Sequence, residues 1–303
     1  MRGGGHSSTM KKENKLINKI KHLVRKIGLP RWLHRFGPKK YEFLHHAVAY
    51  IVKQECRLGY RRVTRLLRWF GFKCPCPSAL CTSFKRVPLQ IWQRLLDSTS
   101  SSKLNLVALD GTGMSRPLPS PYYYRRIDKP YPVEIPLKLS IAVDTRTKKI
   151  ISLRLRSKNS HDIKDAKYLI KHLPSKPRKI LADKGYDAEW LHRYCESLSI
   201  KAVIPMRDYG SKPIYRGRSL RRKCRKTFNK RVYHRREMVE STFKAIKGKF
   251  GASVSSVKFS AQRAEMYCRA ITHNIINYCS RLFERSPIPV SYTHLTLPTK
   301  RIV

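Results

Sequence analysis

The sequence predicts an α/β protein built on a mixed sheet flanked by helices, preceded by an all-α unit like a helix-turn-helix. Three observations carry this. Apolar residues recur at helical spacing as far as residue 97. A run of small hydroxyl residues, Ser98 to Ser102, then interrupts the pattern. Beyond it, apolar runs of strand length come first, followed by alternating helical and strand patterns and then two long helical ones.

Residues 1–40 form a basic N-terminal extension broken at Gly28, Pro30, Gly37 and Pro38. Residues 41–97 read as a helical DNA-binding unit. Its first helix carries the stripe Phe43, Leu44, Ala47, Val48, Ile51 and Val52. Its second has Val63, Leu66, Leu67 and Phe70 on one face and Arg61, Arg65 and Arg68 on the other, and stops at Gly71. Ser78 can cap a third helix, Ala79 to Arg86, with Leu80, Cys81 and Phe84 inward and Thr82, Ser83, Lys85 and Arg86 outward. Such a short polar-basic helix after a turn has the form of one that enters a major groove, which makes Lys85 and Arg86 candidate DNA contacts. A plain bundle with a solvated basic face is the simpler alternative.

Residues 98–103 read as a linker and 104–285 as a second domain. Strands are predicted at Leu104–Leu109, Leu137–Val143, Ile150–Leu155, Lys179–Ala182 and Lys201–Pro205. Helices are predicted from Ser160 or Asp162 to about Leu173, over Asp187–Leu198, and at about 232–250 and 261–285. Asp162 serves as an N-cap in this reading.

Charge narrows the partners. Lys and Arg number 66 and Asp and Glu 19, a formal charge of +47, in a chain whose 41 % hydrophobic content is that of a folded protein. A compact body so charged repels itself unless a polyanion is near, which argues against a metabolic enzyme and for a nucleic-acid partner such as double-stranded DNA, with an anionic membrane surface the weaker alternative. The first residues, Met1 to Thr9, hold no apolar core of a signal peptide, and no apolar run approaches membrane-spanning length. Eight scattered cysteines suit a reducing cytoplasm, with nucleoid association when DNA is bound. Cys74, Cys76 and Cys81 lack a fourth ligand at zinc spacing, and Cys268 and Cys279 read as core.

With so few acidic residues, their positions are informative. Asp110 and Asp183 each follow an apolar strand, where α/β folds place their sites. On a helix of about 100° per residue, Tyr233, Arg236, Glu240 and Lys247 fall within an arc of about 60°, and Val239, Phe243, Ile246 and Phe250 form an apolar stripe beside it. Docking that stripe on the sheet would bring Glu240 to the two aspartates. Three converging carboxylates can hold two Mg²⁺ ions, with Mn²⁺ an alternative, about 3.5–4 Å apart for phosphodiester cleavage. Each residue alone has a plainer reading, as a turn or cap aspartate or a surface i,i+4 pair.

The order Asp110, Asp183, Glu240 resembles the D-D-E triad of insertion-sequence transposases. Tyr233-x₂-Arg236-x₃-Glu240-x₆-Lys247 matches the Y-(2)-R-(3)-E-(6)-K signature of such enzymes at every position. The segments Leu109-Asp110-Gly111-Thr112 and Ala182-Asp183-Lys184-Gly185-Tyr186-Asp187 are similar to the family's first two acidic motifs. The resemblance implies an RNase H-like catalytic domain, Mg²⁺-dependent cleavage at element ends and transfer of the 3′-OH into target DNA. It implies Asp110, Asp183 and Glu240 as metal ligands, Tyr233, Arg236 and Lys247 as DNA contacts near the cleaved phosphate, and a homodimer in the transposition complex. The 56 residues between Asp183 and Glu240 leave little room for a β-rich insertion.

Further candidates surround this centre. Arg216 to Arg236 holds 11 Lys or Arg in 21 residues with no acid, a DNA-tracking arm that includes Arg221 and Arg222. Lys184 follows the second aspartate and could reach phosphate. Tyr122, Tyr123 and Tyr124 with Arg125 and Arg126 could stack on an unpaired base or simply pack on a sheet edge. Residues 286–303 break the helical pattern and resemble translated sequencing-adapter sequence, so no function is assigned to them. The rival readings are a decayed or repurposed DNA-binding copy and an RNase H-like nuclease without strand transfer.

Overall fold

The computed structural model describes residues 39–100, 103–207 and 219–284, with side chains to 277, together with 18, 20–22, 24, 25, 28, 29, 31 and 32. Most of the N-terminal extension, residues 216–218 of the basic arm, Ser101, Ser102, the Cys279 side chain and the C-terminal tail lie outside the described residues.

From residue 39 onward the chain begins with four helices: α1 Phe43–Glu55, α2 Tyr60–Trp69, α3 Pro77–Arg86 and α4 Leu89–Thr99. The predicted stripe of α1 is buried apart from the half-buried Leu44. On α2, Val63 and Leu67 are buried, but Phe70 is 52 % exposed because the helix ends just before it. Gly71, at φ +69°, makes the turn: its N–H bonds Arg68 O at 2.9 Å and Phe72 N–H bonds Leu67 O at 2.9 Å, a Schellman closure. The α3 helix starts one residue before Ser78, with Pro77 in its first turn, so Ser78 is not the cap. Ser83 turns inward, its hydroxyl 2.6 Å from Tyr50 Oη, and Tyr50, Phe84 and Trp92 pack edge-on beneath it. Thr82, Lys85 and Arg86 remain exposed.

The serine run is not extended at its start. Ser98 and Thr99 belong to α4, and Thr99 is buried against the sheet domain. One apolar cluster runs from α1–α4 into the sheet.

The sheet has five strands in the order β3-β2-β1-β4-β5: β1 Leu106–Arg116, β2 Ile135–Asp144, β3 Lys149–Arg156, β4 Lys179–Ala182 and β5 Lys201–Val203. β1, β2 and β3 are antiparallel in sequence, whereas β4 runs parallel to β1 and β5 parallel to β4. This mixed sheet is the expected RNase H-like architecture. A short helix α5, Pro121–Arg126, links β1 to β2, and α6 Ile163–Lys171 and α7 Glu189–Ser197 pack on one face of the sheet. On the other face lie α10 Glu237–Phe250, α11 Phe259–Glu284 and the N-terminal helices. Two short helices, α8 Leu220–Lys226 and α9 Lys230–Tyr233, precede α10.

Two expectations about the site's scaffold need correction. Asp110 does not end its strand, since β1 continues to Arg116 and Asp110 pairs with Ile141 of β2. What ends there is the pairing with β4, whose last partners are Leu109 and Ala182. The predicted helix over 232–250 is broken, because α9 passes through a 3₁₀ turn at His234–Arg236 before α10 begins. Among the described residues no helix is long and apolar enough to cross a membrane.

Candidate active site

Side chains alternate along β1, and this alternation aims the site. Val107 and Leu109 join the α6–α7 core, while Leu106, Ala108 and Met114 join the core beneath α10. Asp110 has the parity of the second set and meets α10 just where β4 stops covering the strand. Thr112 follows on the same face. The α10 helix docks through Val239, Phe243, Ile246 and Phe250, all buried as its apolar stripe predicts. Its flanking polar side chains therefore line an open groove of about 640 Å³ with Asp110, Thr112, Glu240, Phe243, Lys244 and Lys247 on its walls.

Arg236 is the hub. Its Nη1 donates to Asp110 Oδ2 at 3.1 Å and its Nη2 to Glu240 Oε1 at 2.6 Å. Burial disfavours its charge, but Tyr233, Asp110, Glu240 and Asp183 together hold its pKa above the ordinary arginine value. Asp110 is largely buried and also accepts the Gly111 N–H at 2.8 Å. Burial pushes the Asp110 carboxyl up; Gly111 and Arg236 oppose the rise, and Asp162 and Asp183 add to it. Lys247 Nζ donates to Thr112 Oγ1 at 2.8 Å.

Asp183 sits at the end of β4, exposed, and opens the 3₁₀ turn Lys184–Tyr186. Tyr233 Oη lies 3.5 Å from Asp183 Oδ1, which ties the α9 segment to the second aspartate. Burial raises the Tyr233 pKa. Arg207 fastens the turn, donating to the Lys184 and Gly185 carbonyls at 2.9 and 2.8 Å. Nothing local in the sequence points to Arg207, whose partners lie more than 20 residues away.

Arg236 and Tyr233 link Asp110, Glu240 and Asp183, and Lys247 joins them along the same groove through Thr112. The carboxylates do not converge as expected: among the described residues no group of three or more His, Cys, Asp or Glu side chains could hold a metal ion. The guanidinium of Arg236 is interposed between Asp110 and Glu240, and it satisfies both.

The basic residues divide. Lys184, Arg222, Lys85 and Arg86 are exposed. Arg221 is not available to DNA as predicted, for it is buried and forks onto Asp187, with Nε 2.9 Å from Oδ1 and Nη2 bonded to Oδ2. His192 Nε2 lies 3.2 Å from the same carboxylate. Tyr122 and Tyr123 stand on the exposed helix α5. Asp162 makes no cap bond to α6 and instead pairs with Lys138. Sequence patterning passes over Lys138 because its partner comes from another element.

The chain matches the family described as transposase DDE domain over residues 101–275. It belongs to that family. The match takes in both aspartate motifs, the whole Y-R-E-K signature and the sheet that carries them. Among solved structures, this DDE-domain chain is similar to a piggyBac transposase synaptic complex with hairpin DNA, at 12 % identity and TM-score 0.44 over 89 % of this chain and 73 % of that one. It is also similar to a Mos1 transposase paired-end complex with left transposon end, at 11 % identity and TM-score 0.23 over 82 % and 89 % of the two chains. A pre-cleavage Mos1 transpososome gives 12 % identity and TM-score 0.24 over 93 % and 89 %. No curated protein matches the chain.

Proposed function

We propose that this DDE-domain protein is a DNA transposase of an insertion sequence. It binds the element's ends, cuts strands there and transfers the 3′-OH into target DNA. The observation that carries this reading is the linkage of Asp110, Glu240, Arg236 and Lys247 across one groove at the point where β4 ends.

The donor chemistry suits a hard divalent cation. Carboxylate oxygens are the ligands Mg²⁺ prefers, and Asp110 and Glu240 already share one cationic partner, Arg236. Asp110, Asp183 and Glu240 are the residues that would hold the metal, once Arg236 releases the two acids. Bound Mg²⁺ or Mn²⁺ would supply Lewis-acid stabilisation of the attacking and leaving oxygens in phosphodiester chemistry. The chain's own residues bind and orient the DNA. Arg236, freed from the acids, offers a planar fork that matches a phosphate. Lys247 and Lys184 add point charges along the groove, and Tyr233 steadies the segment that presents Arg236. Lys85, Arg86 and Arg222 hold duplex away from the chemistry. A homodimer pairs two ends.

The test is a strand-transfer assay on labelled duplex carrying the inverted repeats that flank the gene. Joined product with Mg²⁺ supports the reading. Nicked DNA without joining would leave a nuclease, and binding without nicking a decayed copy.

A further inference from the structure

Behind the active-site strand lies an ion pair that the proposed chemistry does not use. Gly111 follows Asp110 and, by strand alternation, faces the α6 side of the sheet. A Cβ at Gly111 would collide with Asp162 Oδ1 and come within 2.8 Å of Lys138 Cε. Lys138 stands on β2 opposite Gly113, and its ammonium pairs with Asp162. The absence of a side chain at Gly111 is what admits this pair so close to Asp110.

Two further observations tie the pair to the carboxylates rather than to the start of α6. Asp162 makes no side-chain bond to that helix. Tyr186 is fully buried and its hydroxyl has no hydrogen-bond partner. Burial raises the Tyr186 pKa well above its ordinary value, and the charges that add to the rise are Asp162, Asp110, Asp165 and Asp183, in that order. An unpartnered hydroxyl thus sits inside the field of the two site aspartates and Asp162. Asp165 is accounted for separately, paired with Arg154 and Arg156 and accepting from Ser140.

We infer that Lys138 and Asp162 form a charge-setting pair for the carboxylate site. Lys138 cancels the charge of Asp162, so that a divalent cation meets the charge of Asp110, Asp183 and Glu240 without a fourth acid. The inference rests on the metal-binding reading of those three residues. It requires opposite effects from the two partners. Asp162→Asn strands an ammonium beside the site and weakens cation binding. Lys138→Met strands a carboxylate and strengthens it.

The experiment is titration of Mn²⁺ into the DNA-free full-length protein, with free Mn²⁺ read by electron paramagnetic resonance and folding checked by thermal melting. Asp162→Asn is expected to raise the Mn²⁺ dissociation constant roughly tenfold, Lys138→Met to lower it severalfold, and the double variant to return close to the starting value. Lys138→Arg keeps the charge and should stay within about twofold. Shifts of Asp162→Asn and Lys138→Met in the same direction, or none in either, would overturn the inference. If Lys138→Met does not fold, the double variant and Lys138→Arg decide it: a double variant as weak as Asp162→Asn alone would sink it, as would a shift beyond twofold in Lys138→Arg. Asp110→Asn separates the two levels. Undiminished Mn²⁺ binding in that variant would remove the metal-site reading itself. Its loss, with the pair variants inert, removes only the charge-setting role.

Discussion

The guanidinium of Arg236 holds Asp110 and Glu240 at once, and in that posture it cannot also fork onto a phosphate. With no phosphate present the acids need a cation, and arginine is the cation the helix supplies. On the proposed reading a divalent cation takes its place on the acids, with or without DNA, and the guanidinium is then free to meet a phosphate. Gly111 marks the other side of this strand. Gly111→Ala would push a methyl group into Asp162 and break its pairing with Lys138. The Asp162 carboxylate and the Lys138 chain end can swing aside, so the expected cost is that of the lost ion pair, about 1 kcal/mol, readable by chemical denaturation. An alanine variant as stable as the parent would show that the close approach is not real.

Two elements are secured by long-range polar contacts, and both can be tested apart from catalysis. The α8 helix is tethered where Arg221 meets Asp187, with His192 bonded to the same carboxylate. Arg221→Met should cost about 1–3 kcal/mol, since Asp187 loses one charged partner but keeps His192 and the Arg207 N–H. Burial acts to raise the Asp187 pKa, but bonds from His192, Arg221 and the Arg207 N–H hold it down at about 2. Its folded pKa is thus below the unfolded carboxylate value of about 3.9, so its stabilisation is present above that pH and is lost as pH falls toward about 2. Burial acts to lower the His192 pKa, but Asp187 and Cys224 raise it to about 9. Its contribution is full below an unfolded value of about 6.5 and is lost as pH rises through about 9. Melting temperature against pH should therefore fall at both ends, and Arg221→Met should flatten the acid limb. The second element is α11, whose Asn274 accepts the Ile150 N–H at 2.8 Å and donates to the Ile150 carbonyl and Thr99 Oγ1 at 2.7 Å each. Asn274→Ala removes the bonds to the buried Ile150 N–H and carbonyl, while Thr99 keeps its bond to Leu96 O, and should cost about 1–3 kcal/mol in the same denaturation assay.

These elements also show what can be read in the chain. Period and composition suffice for α1, for the placing of the five strands and for the apolar stripe of α10, because each depends on neighbours a few residues away. The signature spacing brings out Tyr233, Arg236, Glu240 and Lys247 together. The break at His234–Arg236 leaves no mark in the sequence, because its residues are ordinary helix formers and the turn follows from docking both segments. The full length of β1 is hidden because polar residues from Asp110 onward end its apolar run, although β2 goes on pairing with it. Arg221 looks like one more phosphate contact because Asp187 lies 34 residues earlier. Lys138 and Asp162 are hidden for the same reason, and only the backbone approach at Gly111 reveals them.

Over the whole molecule the net charge of +47 outweighs every local charge pattern in attracting a polyanion. Arg61, Arg62, Arg65 and Arg68 lie exposed along α2, and Lys85 and Arg86 on α3. If these faces hold DNA, the logarithm of affinity falls linearly with the logarithm of salt, by about 0.9 per phosphate neutralised. Lys85→Ala and Arg86→Ala should each lessen that slope by about 0.9 in fluorescence-anisotropy titrations, and an unchanged slope would remove α3 from the interface. The rare negative charge has a different part from this excess of positive charge. On the proposed reading Asp110 belongs to a metal-dependent cutting site and not to DNA binding. The most direct measurement compares Asp110→Asn with the parent on one labelled element end, recording Mg²⁺-dependent cleavage and binding in parallel. Cleavage is expected to disappear while affinity stays within about twofold, because a neutral asparagine removes a metal ligand without removing a phosphate contact. Mg²⁺-dependent cleavage persisting in Asp110→Asn at the parent's rate would contradict that reading.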